Sequence, residues 1–112
     1  MKKRRRVLRN GARNAVMGFA WYRAEQWRHL LEVSEDRDKL ESTFKEWEKI
    51  AEKALKDFAE HGVQVRKVDI DVEELVSWCR ARHLSINSGA RSSFAAEKVK
   101  QQTKAERELG DT

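Results

Sequence analysis

The sequence contains no proline and a single cysteine, and its bulky apolar residues are few. The 24 Leu, Ile, Val and Phe residues make up 21% of the 112 residues, which is enough for only a small core. A lone cysteine cannot form an internal disulfide, so a disulfide scaffold is excluded and a reducing, cytoplasmic compartment is expected. The longest apolar run, 15–20, is far too short to cross a bilayer, and we expect no membrane partner.

Charge is distributed unevenly along the chain. Residues 1–13 carry seven cations and no acid, whereas the remainder carries 17 Lys and Arg against 19 Asp and Glu. The high isoelectric point, about 9.6, therefore comes from this basic arm. Such a run suits phosphate backbones or anionic surfaces, which it would bind by counterion release and without base specificity. The candidate phosphate contacts are Lys2, Lys3, Arg4, Arg5, Arg6, Arg9 and Arg13.

Two other interpretations of residues 1–16 stay open. A signal peptide also begins with cations, but the polar stretch 10–14 and the lack of a convincing cleavage site argue against it. Met17 could be the true start, because the periodic pattern begins just after it, and 1–16 would then be solvated or mis-assigned. We expect the arm to be disordered and dispensable for folding.

Apolar spacing predicts one helical domain over 17–99, followed by a polar tail over 100–112. A first helix is expected at about 23–33. The clearest helix begins with a Thr43–Glu46 capping box and ends at Gly62. Its apolar stripe has spacings of three and four residues and consists of Phe44, Trp47, Ala51, Ala54 and Phe58.

Two further helix starts follow later in the chain. Asp71 is a capping residue for a third helix that runs to about Arg82, and Asn87 for a fourth. The inward face of the fourth helix is expected to contain Ala90, Phe94, Ala95 and Val99. The fold class expected is therefore mainly α, with three to four helices packed around a small core and one short extended segment at about 63–70.

The backbone N–H and C=O groups of the extended segment 63–70 must form hydrogen bonds either with another strand or with water. Its apolar residues change parity, since Val63 and Val65 share one face and Val68 and Ile70 the other. We expect a solvated connection ahead of two alternatives, which are pairing with Gly18 to Tyr22 in the same chain and pairing with a second copy. A monomer is accordingly favoured over a dimer.

The region from about 21 to 98 resembles a group of small helical bacterial proteins of uncharacterised function. The resemblance implies no activity, cofactor, partner or site residue. It depends on five segments: Glu46-Trp47, Gly62-Val63-x-Val65, Val68-Asp69-Ile70-Asp71, Trp78-Cys79-Arg80-Ala81-Arg82 and Ala90-Arg91-x-x-Phe94-Ala95.

Few residues form a pattern typical of catalysis or metal binding. Cys79 and His83 are four residues apart, which is half of a zinc site, but Cys79 also fits a buried structural thiol. Asp36 and Asp38 resemble the start of a calcium loop, yet Leu40 follows where a ligand should stand. We therefore predict no catalytic residue, no metal and no cofactor, and we expect the paired carboxylates to be solvated loop and cap residues.

The four tryptophans divide into two groups. Trp27 and Trp47 lie on apolar stripes and are expected in the core, whereas Trp21 and Trp78 lie at its edges. Edge aromatics are enriched in partner-binding surfaces, which makes Trp78 a candidate partner contact. The sequence thus favours a non-enzymatic module that binds another macromolecule, with a protein as the partner. The alternative is nonspecific nucleic-acid binding through the basic arm.

Overall fold

A computed structural model describes residues 16–110, and the seven cations of the basic arm lie outside this range. The expected fold class is confirmed, because most of the described chain is helical and only a short two-stranded sheet accompanies the helices. Short 3-10 turns lie at Ala24–Gln26 and Arg37–Lys39. In chain order the elements are β1 (Met17–Trp21), α1 (Trp27–Val33), α2 (Phe44–Glu60), β2 (Val65–Asp69), α3 (Val72–Ala81) and α4 (Ser88–Gly110).

The helix-start signals in the sequence are confirmed by the hydrogen bonds. Thr43 and Glu46 form a capping box at the start of α2, and Gly62 has a φ of +74° just after its end. Asp71 accepts from the Glu73 backbone N–H at 2.9 Å at the start of α3. Asn87 accepts from the Ala90 backbone N–H at 3.0 Å at the start of α4. Helices α2, α3 and α4 therefore each begin where a side chain satisfies a free backbone donor, whereas α1 has no side-chain cap.

Helix α4 is longer than the sequence pattern predicts. The apolar face ends at Val99, but the helix continues to Gly110, through most of the segment expected to be a polar tail. The side chains of these last turns are mostly exposed. The helix therefore projects beyond the core and presents polar side chains on most of its circumference.

The expectation of a solvated extended connection at 63–70 is wrong. β2 pairs in parallel with β1, in a register that sets Met17 opposite Val65 and Trp21 opposite Asp69. This is the intrachain alternative, and its physical reason is that β1 satisfies the β2 backbone while Val68 becomes fully buried. The apolar residues change parity because Val65 and Val68 lie on opposite faces of β2, the first partly and the second fully buried, whereas Val63 precedes the strand and is 37% exposed.

The sheet lies between α2 and α4. On one face of β1, an ideal Cβ on Gly18 would lie 2.7 Å from the Ala95 carbonyl oxygen, so α4 approaches the strand very closely. On the other face, the rings of Phe19 and Phe58 have centroids 6.4 Å apart. β1 therefore has a helix on each side. The close approach of α4 requires a small residue at position 18, where α4 crosses the strand.

Replacing Gly18 with alanine is expected to reduce the free energy of unfolding by about 1–3 kcal/mol, because the new methyl group would overlap the α4 backbone. Gly89→Ala is the matched control, since its Cβ would meet nothing closer than 3.6 Å. Alanine is also a better helix former than glycine, so the control should be neutral or stabilising. Urea unfolding monitored by circular dichroism measures both, and equal losses would contradict the close approach.

The core is built around the aromatic ring of Trp47. Trp47 is 9% exposed and its ring lies 4.9 Å from Trp21, 5.2 Å from Tyr22 and 5.5 Å from Trp27 between centroids. Phe44 completes the cluster at 5.4 Å. The expectation that Trp27 and Trp47 are core residues is confirmed, and three elements, β1, α1 and α2, meet at this cluster.

Candidate functional site

Cys79 and His83 do not form a site together. Cys79 is 1% exposed in the core, and burial raises the pKa of its thiol, which makes it a poor nucleophile and a poor ligand at neutral pH. Helix α3 ends at Ala81, so His83 lies beyond it, exposed and with a φ of 57°. The buried structural thiol is therefore confirmed, and the helical spacing that would align the two residues does not exist.

Asp36 is not a solvated loop residue, and that expectation is wrong. Its carboxylate accepts two hydrogen bonds from Arg91 at 2.9 and 2.8 Å, and one from the Ser88 backbone N–H at 3.2 Å. Arg91 is itself 7% exposed and also donates to the Ser34 hydroxyl at 3.2 Å. Arg91 and Asp36 are shielded from solvent because the loop after α1 packs on the first turn of α4. The hydrogen bond from Arg91 lowers the pKa of Asp36.

Asp69 and Asp71, a second pair that the sequence places together, also have structural partners. Asp69 accepts two hydrogen bonds from Arg23, at 3.1 and 2.6 Å, and this contact lowers the pKa of its carboxyl. Asp71 caps α3. Among residues 16–110, no group of three or more His, Cys, Asp or Glu side chains could hold a metal ion.

Tyr22 lies beside the Asp36–Arg91 pair, and burial raises its pKa to about 12 despite the opposing charge of Arg91. Because it is the only tyrosine in the sequence, tyrosinate absorbance should report its ionisation alone. We expect a folded-state midpoint near 12 and a midpoint near 10 in denaturant. The folded state then binds more protons between these values, so stability should fall as the pH rises through them. A midpoint near 10 in folded protein would contradict the burial.

Trp78 lies on α3 facing α4, partly buried and held in one orientation. Its ring packs on Phe94 with centroids 5.4 Å apart, and its Nε1 donates to Glu97 at 3.2 Å. The Arg82 guanidinium lies 4.2 Å from the ring centroid and also donates to the Trp78 carbonyl at 3.2 Å. Trp78 lies at the edge of the core, as the sequence predicts. These contacts hold its ring in a fixed orientation beside a groove.

The Trp78 groove runs between α3 and α4, with a volume of about 470 Å³. Its lining contains three carboxylates and one lysine, Lys98, which pairs with Glu74 at 3.0 Å. The third carboxylate, Glu97, pairs with Arg82 at 3.6 Å. Glu73 contacts the His29 ring at 2.7 Å, so Glu73 and Glu74 each use one oxygen in these contacts. The groove is lined by Glu73, Glu74, Ser77, Trp78, Phe94, Glu97, Lys98 and Gln101. It combines an aromatic floor with acidic walls.

A second surface lies at the other end of the described chain. Val16, the first described residue, borders an open hollow of about 730 Å³ beside the last turns of α4. The hollow is lined by Val16, Arg66, Val99, Lys100, Thr103, Glu106 and Arg107. Val16 is three residues after Arg13, the last cation of the basic arm, and the hollow that it borders includes the α4 cations Lys100 and Arg107.

Sequence reasoning missed the acidic walls of the groove and the cations of α4. Glu73 and Glu97 belong to different helices, so no local pattern brings them together. A signal for the second surface does exist, since Lys100, Lys104 and Arg107 have helical spacing. The sequence does not indicate a helical face there, because the predicted apolar pattern ends at Val99 and 100–112 is predicted to be a polar tail.

Comparison with protein-family models, with curated proteins and with solved structures finds no match to the chain. The resemblance of residues 21–98 to small bacterial proteins therefore stays a prediction. Over the part that the structure describes, no helix is both long and apolar enough to span a membrane.

Proposed function

We propose that the chain is a non-enzymatic protein that binds another protein, and that the Trp78 groove is the contact surface. The observation that supports this most directly is the combination of a fixed, partly buried tryptophan with a groove beside it. Aromatic residues that are held in place lose little entropy on binding, and they are frequent among the residues that dominate interface energies.

The lining of the groove defines the chemistry of the partner. Three carboxylates against Lys98 and the neighbouring Arg82, which pairs with Glu97 at 3.6 Å, leave it a small net negative charge, while Trp78 and Phe94 supply an apolar surface. A partner segment that carries lysine or arginine beside an apolar side chain complements both properties. The proposed partner is therefore a basic, amphipathic segment of another protein.

The other potentially reactive side chains are buried or held in ion pairs, which supports a binding role over a catalytic one. The Cys79 thiol is buried, Asp36 is fixed by Arg91, and Asp69 is fixed by Arg23. A general acid or base must reach the substrate from a cleft. These groups instead hold loops and strands in place.

Site-specific photo-crosslinking in cells tests the proposal. A photoreactive amino acid at Ser77, which lines the groove, should yield a covalent adduct with a second polypeptide. Mass spectrometry should locate the attachment in a segment with Lys or Arg beside an apolar residue. The same photoreactive residue at Ser93, which is exposed on α4 and outside the groove lining, is the positional control and should yield no such adduct.

Charge variants make this experiment specific for the groove. Glu73→Gln with Glu74→Gln should reduce the Ser77 adduct at least about tenfold, because the walls lose their charge complement to the partner. Glu25→Gln with Glu60→Gln removes the same charge from exposed positions outside the groove lining and should leave the adduct unchanged. An acidic attachment segment, or equal adduct yields from Ser77 and Ser93, would contradict the proposal.

Nucleic-acid binding is the second candidate function. The observation that favours it is that Val16, three residues after the last of the seven arm cations in sequence, borders the same hollow as Lys100 and Arg107 of α4. Phosphate contact of this kind predicts binding that is indifferent to sequence and falls steeply with salt. A clear sequence preference would contradict this candidate.

A further inference from the structure

Lys98 contacts both chemical features of the Trp78 groove. Among the described residues that line the groove, it is the only cation. Its Nζ donates to Glu74 of α3 at 3.0 Å. The same Nζ lies over the Phe94 ring, 5.5 Å from the ring centroid, which is within the range of a cation–π contact. The groove therefore already holds a cation between its acidic wall and its aromatic floor, and the chain itself supplies that cation.

Lys98 is held less firmly than Arg82, the other cation beside the groove. Arg82 pairs with Glu97 at 3.6 Å, donates to the Trp78 carbonyl at 3.2 Å and stacks on the Trp78 ring at 4.2 Å. Lys98 donates to Glu74 alone among the described residues, and its ammonium is at the end of a flexible stem. Its side chain is 26% exposed and that of Glu74 is 55% exposed. Because partly exposed ion pairs contribute little free energy, Lys98 can leave the groove more readily than Arg82.

The departure of Lys98 would leave a complete place for another cation. Glu74 would have both carboxylate oxygens available, and the Phe94 ring would lose the ammonium that lies over it. Glu73 also lines the groove and contacts the His29 ring through Oε2, while its Oε1 has no partner among the described residues. An entering ammonium or guanidinium group would therefore meet carboxylate oxygens beside an aromatic face.

We propose that the partner protein inserts one lysine or arginine side chain at the position of Lys98 and displaces Lys98 from Glu74. This inference rests on the proposed function and specifies how the Trp78 groove recognises the basic segment. Since one ion pair replaces another, the charges contribute mainly specificity. The apolar side chain beside the partner's cation then supplies most of the affinity through contact with Trp78 and Phe94.

A titration of the isotope-labelled full chain with the dipeptide acetyl-Leu-Arg-amide tests the exchange. This probe carries a guanidinium beside an apolar side chain, and the NMR signal of the Trp78 indole N–H, which donates to Glu97, reports its binding. Lys98→Met removes the internal cation and keeps an apolar stem, so the dissociation constant for the probe should fall about threefold. Lys98→Arg keeps a cation at this position and should bind the probe as the parent chain does. Unchanged signals of the other tryptophan indoles establish that each variant is folded.

Two controls separate the exchange from simpler effects. Lys100→Met removes the same charge from an exposed position of α4 outside the groove lining, and it should leave the dissociation constant unchanged. Acetyl-Leu-citrulline-amide has the shape of the probe without its charge, and it should gain no affinity from Lys98→Met. An equal gain for Lys100→Met would make the effect one of net charge, and an equal gain for the citrulline probe would make it one of apolar surface. Either result would overturn the inference.

The variant Lys98→Met with Glu74→Gln locates the probe within the groove. Glutamine has no charge to pair with the guanidinium, so the gain in affinity from Lys98→Met should be lost. If the gain persists, the guanidinium does not take the place of Lys98 and the inference is overturned. Weaker binding by Lys98→Met alone would assign the Lys98–Glu74 pair a structural role between α3 and α4 and would also contradict the exchange.

The Ser77 crosslinking experiment distinguishes this inference from the function on which it rests. If the adduct maps to a segment with Lys or Arg but Lys98→Met does not tighten binding of the probe, protein binding at the groove stands and the exchange is excluded. If the adduct maps to an acidic segment and the probe shifts the Trp78 signal in neither chain, both are overturned.

Discussion

Replacing Trp47 with alanine is expected to lower the free energy of unfolding by about 3–5 kcal/mol. The indole is 9% exposed and packs within 5.5 Å of four other aromatic rings, measured between centroids. Its removal leaves a cavity where β1, α1 and α2 meet. A loss of this size is comparable to the total stability of many small domains, so the variant should be largely unfolded near room temperature.

Urea unfolding followed by far-ultraviolet circular dichroism measures this loss without depending on tryptophan fluorescence. Lys49→Ala is the control on the same helix, because Lys49 is exposed and makes no ion pair with a described residue. It should change the free energy of unfolding by less than about 0.5 kcal/mol. Similar losses for both variants would mean that α2 presents a different face to the core.

Replacing Arg91 with methionine is expected to cost about 3 kcal/mol at neutral pH. The substitution keeps much of the apolar stem but leaves the Asp36 carboxylate without its charged partner in a largely buried place. The Ser34 hydroxyl, which is also buried, loses a hydrogen bond at the same time. The free energy of unfolding near pH 7, from chemical denaturation, gives the size of the effect.

The pH dependence of the Arg91 variant provides a second readout. Arg91 lowers the pKa of Asp36 in the folded state, so the pair contributes stability above the unfolded pKa of about 4. That stability is lost as the pH falls through the folded pKa. Arg91→Met should therefore flatten the loss of stability in acid, and Asp36→Asn combined with it should restore part of the loss at pH 7. An unchanged acid profile would contradict the pairing.

The helices could be predicted from the sequence because their signals are local. Thr43 and Glu46 are three residues apart in sequence, and they cap α2 as their spacing predicts. Trp47 could be assigned to the core since its stripe lies within a single helix. The edge position of Trp78 follows from the same reasoning, because it flanks the inward face of α3.

The contacts that organise the fold and its surfaces could not be predicted in this way, because their partners are far apart in sequence. β1 has Gly18 and Ala20 where strands usually carry branched residues, and its pairing with β2 spans more than 40 residues. The Asp36–Arg91 pair joins residues 55 positions apart. The groove combines carboxylates of α3 and α4, and no property of either helix alone indicates that they meet.

The parallel pairing of β1 with β2 is the central structural claim, because it joins two segments far apart in sequence and fixes the position of Val16 beside α4. Nuclear Overhauser contacts in a mixture of isotope-labelled and unlabelled chains test it directly. The account predicts contacts between Phe19 and the backbone of 67–68 within one chain, and none between strands of different chains. Interchain contacts among residues 65–69 in an antiparallel pattern, without contacts to β1, would contradict it.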